Sequence, residues 1–241
     1  MTLVPKPGAG ASVKDASEAL VRQVAAAATV RFGSKPARGS RSSLPEPVRA
    51  RRKERSRVVA IGASLGGPVA LRTVLQGLSA DPGAPILVTQ HISPGFVSDF
   101  VAWLDSEAPQ RVVVATRGPC APGTVYVAPA DGHLVLREGR RLVIDRTTGP
   151  VHGHSAAVDV MFTSVAEVAA EAAVGVLLTG MGRDGARGLL SIQESGGTTL
   201  VQDEASCTVY GMPRAAIELK AVEEGHSPEV LASRITAALQ G

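Results

Sequence analysis

From residue 58 to its end, the chain alternates short aliphatic runs with longer segments of helical periodicity, and this alternation limits the folds open to it. The aliphatic runs lie at residues 58–63, 85–91, 111–116, 124–129, 174–180 and 198–203. Their near-continuous Val, Ile and Leu content is typical of parallel strands buried on both faces. The segments between them at residues 68–78, 94–105, 158–172 and 186–195 are long enough for crossover helices. Residues 133–146 differ, because two apolar stretches flank Gly139 and predict one antiparallel β-hairpin. The sequence therefore predicts a doubly wound, mostly parallel α/β sheet flanked by helices, with one hairpin.

Composition supports a globular body and excludes several other classes of protein. Hydrophobic residues make up 44% of the chain, which excludes a chain disordered throughout. No stretch approaches the ~18 uninterrupted apolar residues of a membrane span, and the N-terminus lacks the apolar core of a secretory signal. Cys120 and Cys207 are too few for a disulfide framework and fit a reducing compartment. We therefore expect a cytoplasmic protein without direct membrane insertion.

Charge separates an N-terminal region from the body. Residues 1–57 hold 13 of the 25 Lys and Arg but 4 of the 22 Asp and Glu, so they carry +9 and the rest of the chain −6. Residues 35–57 are rich in Arg, Ser and Pro and predict a basic flexible linker. A nucleic-acid-binding arm is the alternative, but the body has no basic stripe with interleaved aromatic residues, so we expect no nucleic-acid partner. Residues 1–34 contain one predicted helix, and residues 58–241 are interpreted as a single globular domain.

The loop after the first predicted strand reads Gly62-Ala63-Ser64-Leu65-Gly66 and matches the pattern G-x-S-x-G. In doubly wound sheets the reactive groups lie in loops beyond the carboxyl ends of the strands. This pattern presents a serine hydroxyl at a strand-to-helix turn, and the N–H groups that open the helix can bind an oxyanion. Ser64 is therefore a candidate nucleophile. A glycine-rich anion cradle and a plain tight turn remain the alternatives.

Two further strand ends supply a base and an acid. His91 ends the second run, and Asp184 lies in the glycine-rich loop after the run at 174–180. Each has a structural alternative: a buried hydrogen-bonded histidine, and a cap for the helix that begins at Ala186. Ser, His and Asp at three strand ends together predict a catalytic triad. An ordinary α/β-hydrolase would carry its histidine late in the chain, where only His226 stands, so the order Ser, His, Asp fits better.

A metal site and a nucleotide-binding module are the alternative classes of site. His152 and His154 with Asp159 resemble a ligand set, but no fourth ligand stands at an obvious spacing, so no metal is expected. The loop GASLGG could cradle a phosphate. However, no G-x-G-x-x-G with a following acidic strand end is present, which disfavours a dinucleotide cofactor.

Several motifs carry a closer resemblance. In order along the chain, IGASLGGPVAL, QHISPGF, LLTGMGRDGARGL and QDEASCTVYGMPRAAIE resemble the catalytic domain of the chemotaxis protein-glutamate methylesterase family. This resemblance implies a cytoplasmic serine hydrolase without a cofactor, which removes methyl groups from glutamate γ-methyl esters of chemoreceptors and often also deamidates receptor glutamines. It implies a triad of Ser64, His91 and Asp184, with the backbone N–H of Met181 as oxyanion donor and that of Leu65 beside it. A catalytically weak or inactive binding module of the same fold stays open as an alternative.

Three departures from the family pattern bear on these expectations. Leu65 stands where the family commonly has threonine, so a hydroxyl contact is lost while the N–H remains. Ser155, Ala156 and Ala157 replace the usual Arg-Pro-Ser before Val158 and Asp159. The resemblance implies that this stretch borders the site, so we expect a change in substrate fit or rate, although Asp159 remains. Finally, the family's receiver domain is not recognised before residue 58, so we expect no phosphorylation control within this chain. The sequence specifies neither the receptor glutamates nor the oligomeric state.

Overall fold

A computed structural model describes residues 57–241, so the helix predicted in residues 1–34 and nearly all of the predicted linker lie outside the described residues. The strands in this part are β1 (Val58–Ala63), β2 (Ile86–Gln90), β3 (Arg111–Val114), β4 (Gly118–Pro119), β5 (Thr124–Val127), β6 (His133–Arg137), β7 (Arg141–Asp145), β8 (Ala173–Leu177), β9 (Thr198–Gln202) and β10 (Gly225–His226). The helices are α1 (Gly67–Gln76), α2 (Val97–Glu107), α3 (Val158–Ala169), α4 (Ala186–Glu194), α5 (Met212–Glu218) and α6 (Pro228–Gln240). Short 3-10 turns at Pro94–Phe96 and Ala170–Ala172 adjoin α2 and α3.

The main sheet has seven strands in the order β10-β9-β8-β1-β2-β5-β3, and every pair of neighbours is parallel. The first strands of the chain lie on one side of β1, and β8, β9 and β10 lie on its other side. A crevice opens beyond the carboxyl ends of the strands where the chain reverses its direction across the sheet, here between β8 and β1. The predicted doubly wound sheet is confirmed.

Both faces of the sheet are covered by apolar helices, which explains why its strands are aliphatic throughout. Because successive side chains of a strand point to opposite faces, Val59 and Ile61 join the core formed with α1, α2 and α6. Val58 and Ala60 join the core on the other face, with α3, α4 and α5. Every residue of β1 is buried.

The predicted hairpin is also confirmed, as β6 and β7 pair antiparallel with Leu136 opposite Leu142. Its turn places Gly139 and Arg140 at φ angles of 69° and 55°. Strand β4 pairs with β7 and completes a small three-stranded sheet that the sequence does not predict. A two-residue strand that contains proline is too short to show an alternation of apolar and polar residues, so no sequence pattern predicts β4.

The remaining differences from prediction are short elements near the C-terminus. Helix α5 and strand β10 have 7 and 2 residues, too few for a hydrophobic period to appear. Helix α6 begins at Pro228 after Ser227, where the sequence indicates a helix start. Within residues 57–241, the helices are all too short or too polar to cross a lipid bilayer.

Candidate active site

Ser64 lies in the tight turn that joins β1 to α1. Its N–H donates a hydrogen bond to the carbonyl of Thr179 at 3.0 Å, and its carbonyl accepts one from the N–H of Gly67 at 2.9 Å. Gly66 has a φ of 80°, in the left-handed region that favours glycine. A Cβ at Gly66 would also lie 2.2 Å from Thr208 Oγ1. The glycines of this motif therefore allow both the turn and the close approach of the neighbouring loop.

Gln90, the last residue of β2, supports this turn from the neighbouring strand. Its side chain is buried, and Nε2 donates to the carbonyl oxygens of Ser64 at 2.7 Å and of His91 at 2.9 Å. No motif in the sequence points to Gln90 as a functional residue. A long polar side chain at the end of an otherwise aliphatic strand is the signal that could have identified it, because buried polar groups need partners.

His91 and Asp184 are in direct contact. His91 Nε2 lies 2.8 Å from Asp184 Oδ2, and the two side chains are only 6% and 2% exposed. Pairing of β2 with β1 places His91, whose N–H donates to the carbonyl of Ala63 at 2.9 Å. Asp184 comes from the loop that follows β8, on the other side of β1. Ser64 follows β1, so it lies between the strand end that carries His91 and the loop that carries Asp184. Among the described residues, Ser64 Oγ forms no hydrogen bond with His91.

The carboxylate of Asp184 is also bound to the first turn of α3. Oδ2 accepts the N–H of Val158 at 2.8 Å, and Oδ1 accepts the N–H of Asp159 at 3.0 Å. Burial by itself raises the pKa of Asp184, but the hydrogen bonds from His91, Asp159 and Val158 outweigh it and hold the pKa below its usual value. The positive end of the α3 dipole acts in the same direction. Asp184 thus caps α3, whereas the cap position of the helix that begins at Ala186 is occupied by Gly185.

A loop before α3 brings two more histidines to the site. The rings of His154 and His91 are stacked, with centroids 3.5 Å apart and planes 10° apart. His152 Nε2 lies 2.9 Å from Asp159 Oδ2. Burial lowers the pKa of His154, and the neighbouring His91 lowers it further by a smaller amount. The sequence offers these histidines only as candidate metal ligands, and nothing in it predicts the stacking on His91.

Ligand atoms of His152, Asp159 and Asp184 lie within 4.8 Å of one another. Both carboxylates are already engaged with protein donors: Asp159 Oδ1 accepts the N–H of Gly188 at 2.7 Å, and Asp159 Oδ2 faces His152. Asp184 accepts hydrogen bonds on both oxygens. The contacts are therefore those of hydrogen-bonded pairs rather than of an open set of ligands.

Leu65 and Met181, the two predicted oxyanion donors, lie in the loops after β1 and β8. The loop before Met181 packs closely on the serine turn, because a Cβ at Gly180 would lie 2.7 Å from Ser64 Cβ. Met181 itself is 60% exposed. Within residues 57–241, the backbone N–H groups of Leu65 and Met181 donate to no protein acceptor. Their roles stay predictions.

The residues that depart from the family pattern before α3 are packed rather than open. Ala156 and Ala157 are buried, at 7% and 0% exposure, whereas Ser155 is exposed. The N–H of Ala157 donates to His133 Nδ1 at 3.1 Å. These two small residues are thus packed directly before the first turn of α3, whose N–H groups bind Asp184.

Comparisons with known proteins agree with this architecture. A family model described as CheB methylesterase matches residues 59–235. Protein-glutamate methylesterase/protein-glutamine glutaminase 2 of Burkholderia thailandensis is 48% identical over 77% of this chain and 53% of its own length. Protein-glutamate methylesterase/protein-glutamine glutaminase 1 of Dechloromonas aromatica is 39% identical over 98% of this chain and 69% of its own length. The crystal structure of the Thermotoga maritima CheB methylesterase catalytic domain has a TM-score of 0.72 at 32% identity, and the match covers 76% of this chain and 98% of that one.

The parallel sheet with helices on both faces defines a doubly wound α/β protein, and the serine turn, the histidine and the buried aspartate lie beyond the carboxyl ends of its adjacent strands. The chain belongs to the CheB methylesterase family, as the family model and the Dechloromonas aromatica relative show. The resemblance drawn from the sequence motifs is thereby confirmed. The chain spans about half of the length of the first of these relatives and about two thirds of the second.

Proposed function

We propose that the protein is a protein-glutamate methylesterase that hydrolyses glutamate γ-methyl esters through Ser64, His91 and Asp184. The contact between His91 Nε2 and Asp184 Oδ2, 2.8 Å long and nearly excluded from solvent, carries this proposal. A buried carboxylate that orients an imidazole beside a serine turn is the arrangement that activates a serine hydroxyl.

His91 Nδ1 acts as the base. Because Nε2 is engaged by Asp184, Nδ1 is the remaining ring nitrogen, and it is buried without a hydrogen-bond partner among the described residues. Nδ1 takes the proton of the Ser64 hydroxyl as Oγ attacks the ester carbonyl carbon. The hydroxyl closes to hydrogen-bond distance when substrate is bound, as is common for sites that are loose without it. Asp184, held ionised by its hydrogen bonds, stabilises the imidazolium that forms.

Attack converts the ester carbonyl oxygen into an oxyanion. The backbone N–H groups of Leu65 and Met181 are the proposed donors to it, and removal of one such donor typically lowers the rate about 10²–10³-fold. Leu65 can serve here despite replacing threonine, because the donor belongs to the backbone.

The tetrahedral intermediate collapses with cleavage of the bond between carbon and the methoxy oxygen. The imidazolium of His91 gives its proton to this oxygen and methanol leaves, so a glutamyl ester of Ser64 remains. Water, deprotonated by His91, then attacks this ester and releases the glutamate carboxylate and the Ser64 hydroxyl. A glutamine side chain would follow the same steps and release ammonia.

The proposed substrates are methylated chemoreceptors, and the proposed location is the cytoplasm. The names of the relatives give both methylesterase and glutaminase activities, which supports the two proposed reactions. The choice of chemoreceptors as substrates rests on the family resemblance of the sequence motifs. The two free cysteines, Cys120 and Cys207, agree with a reducing compartment. No cofactor takes part in the proposed steps.

Release of methanol from methylated receptor tests the proposal, with ammonia release from receptor glutamines measured in parallel. We expect methanol in proportion to receptor methylation and none from the unmethylated receptor. A folded protein that binds the receptor but releases neither methanol nor ammonia would contradict the proposal and favour the inactive binding module.

A further inference from the structure

The segment before α3 forms a tight turn that presents His154. Val151 and His154 exchange two backbone hydrogen bonds, of 3.1 and 2.9 Å. The two residues between them, His152 and Gly153, have φ angles of 52° and 81°. Positive φ at both central positions is the signature of the type I′ turn, which forms compact hairpins. The position of His154 is therefore fixed by the backbone.

Two side-chain contacts hold this turn against the body. His152 is in the left-handed region, which disfavours most residues with a side chain, and its Nε2 contacts Asp159 Oδ2 at 2.9 Å. The fully buried His133 spans the base of the segment, because Nε2 donates to the carbonyl of Gly149 at 3.2 Å while Nδ1 accepts the N–H of Ala157 at 3.1 Å. The segment from Gly149 to Ala157 is thus held at both ends by His133 and at its turn by the contact of His152 with Asp159.

The turn delivers the ring of His154 onto one face of His91. The centroids are 3.5 Å apart and the planes differ by 10°, so the two rings are in full van der Waals contact. His91 holds Asp184 through a single ring nitrogen. Rotation of its ring about χ2 is the motion that would break this contact, and χ2 of histidine has a broad energy profile.

We propose that His154 is a positioning residue, which stacks on His91 and restricts its ring rotation so that Nε2 stays on Asp184 and Nδ1 stays free to act as the base. This inference rests on the proposed function of His91. His154 transfers no proton in this role, and its aromatic ring is what matters.

The charges around His154 agree with this role. Besides His91, the titratable groups that act on it are Asp184 and His152, and Asp159 faces His152. Burial and then His91 lower the pKa of His154, against the effect of Asp184. A neutral ring can remain stacked on His91 when His91 becomes a cation, whereas a second cation at this distance would oppose it.

The test compares His154→Ala, which removes the ring, with His154→Phe, which keeps a ring but no titratable nitrogen. Glu138→Ala is the control, because Glu138 is exposed in the turn between β6 and β7 and lies outside the segment that holds His154. We expect His154→Ala to lower kcat for methanol release about 10–100-fold with KM nearly unchanged, since small displacements of a catalytic group have effects of this size. His154→Phe should recover most of this loss with an unchanged pH profile. Wild-type kcat in folded His154→Ala, or His154→Phe as inactive as His154→Ala, would overturn the proposal.

Two readouts make the test independent of methylesterase activity. The rate at which a fluorophosphonate labels Ser64 reports activation of the hydroxyl, and ring ¹⁵N chemical shifts report which nitrogen of His91 carries the proton. We expect slower labelling and a mixture of tautomers in His154→Ala, with both restored in His154→Phe. If wild type releases no methanol, the proposed function fails while these two measurements still decide the role of His154. Where His154→Phe does not fold, His154→Tyr takes its place.

Discussion

The side-chain amide of Gln90 donates a hydrogen bond of 2.7 Å to the backbone carbonyl of Ser64. The same Nε2 also donates to the carbonyl of His91. One buried amide thus ties the serine turn to the strand end that carries the histidine. The position of Ser64 relative to His91, the proposed nucleophile and base, depends on this link as well as on the pairing of β1 with β2.

Replacement of Gln90 by methionine should loosen this link. Gln90→Met keeps the length of the side chain but removes both donors, so we expect a lower kcat and a free energy of unfolding reduced by about 1–3 kcal/mol. Gln76→Met is the control, because the Gln76 amide donates to the carbonyl of Glu107 on the exposed surface. Urea unfolding and methanol release measure the two effects. Equal behaviour of the two variants would show that the Gln90 amide has no special role.

Gly180 provides a second test of how the serine turn is positioned, because a side chain at this residue would collide with its neighbours. A Cβ there would lie 2.2 Å from Met212 Sδ and 2.7 Å from Ser64 Cβ, so Gly180→Ala must displace the serine turn or the loop that holds Gly180, whereas the flexible Met212 side chain can move aside. We expect kcat to fall about 10-fold or more, since misplacement of a reacting group reduces the rate strongly. Gly95→Ala is the control, because a Cβ at Gly95 meets nothing within 4 Å. A fully active Gly180→Ala would show that the loop gives way without moving Ser64.

Asp184 should make stability depend on pH. Its native pKa is below its usual value, so its ionised form stabilises the fold above the unfolded-state pKa, and this contribution is lost as pH falls through the native pKa. Asp184→Asn lacks the charge that accepts hydrogen bonds from His91, Val158 and Asp159. Its loss of unfolding free energy relative to wild type should therefore be largest above about pH 4 and shrink in more acidic solution.

Urea unfolding between pH 3 and pH 7 measures this difference. Asp131→Asn is the control, since Asp131 is 59% exposed in its ion pair with Arg146 and exposed pairs contribute little. A constant difference between wild type and Asp184→Asn across this range would mean that ionisation of Asp184 does not stabilise the fold.

The parts of the fold that follow from local pattern could be predicted from the sequence. The aliphatic runs at β1, β2 and β8 gave strands close to their observed bounds, and the stretches flanking Gly139 gave the hairpin. The order of strands in the sheet depends on contacts between distant residues, for which one sequence holds no periodic signal. Short elements such as β4 and β10 are too brief to show one.

The candidate site likewise has features that the sequence predicts and features that it does not. Ser64, His91 and Asp184 could be named because each lies at the end of a predicted strand or in the loop that follows one. The attachment of Asp184 to the N-terminus of α3, and the stacking of His154 on His91, could not be predicted, because both join segments that are far apart in the chain. Gln90 was overlooked as a supporting residue because its partners are backbone carbonyls, which no side-chain motif specifies.

The most direct test of the central claim is the rate of methanol release by Ser64→Ala, measured beside Ser93→Ala. Ser93 lies in the loop after β2, and its side chain makes no capping hydrogen bond. If Ser64 is the nucleophile that His91 and Asp184 activate, Ser64→Ala should lose about 10³-fold or more in kcat while it unfolds at the same urea concentration as wild type. Ser93→Ala should stay close to wild type in both measurements. A folded Ser64→Ala that releases methanol at a rate similar to that of Ser93→Ala would contradict the account.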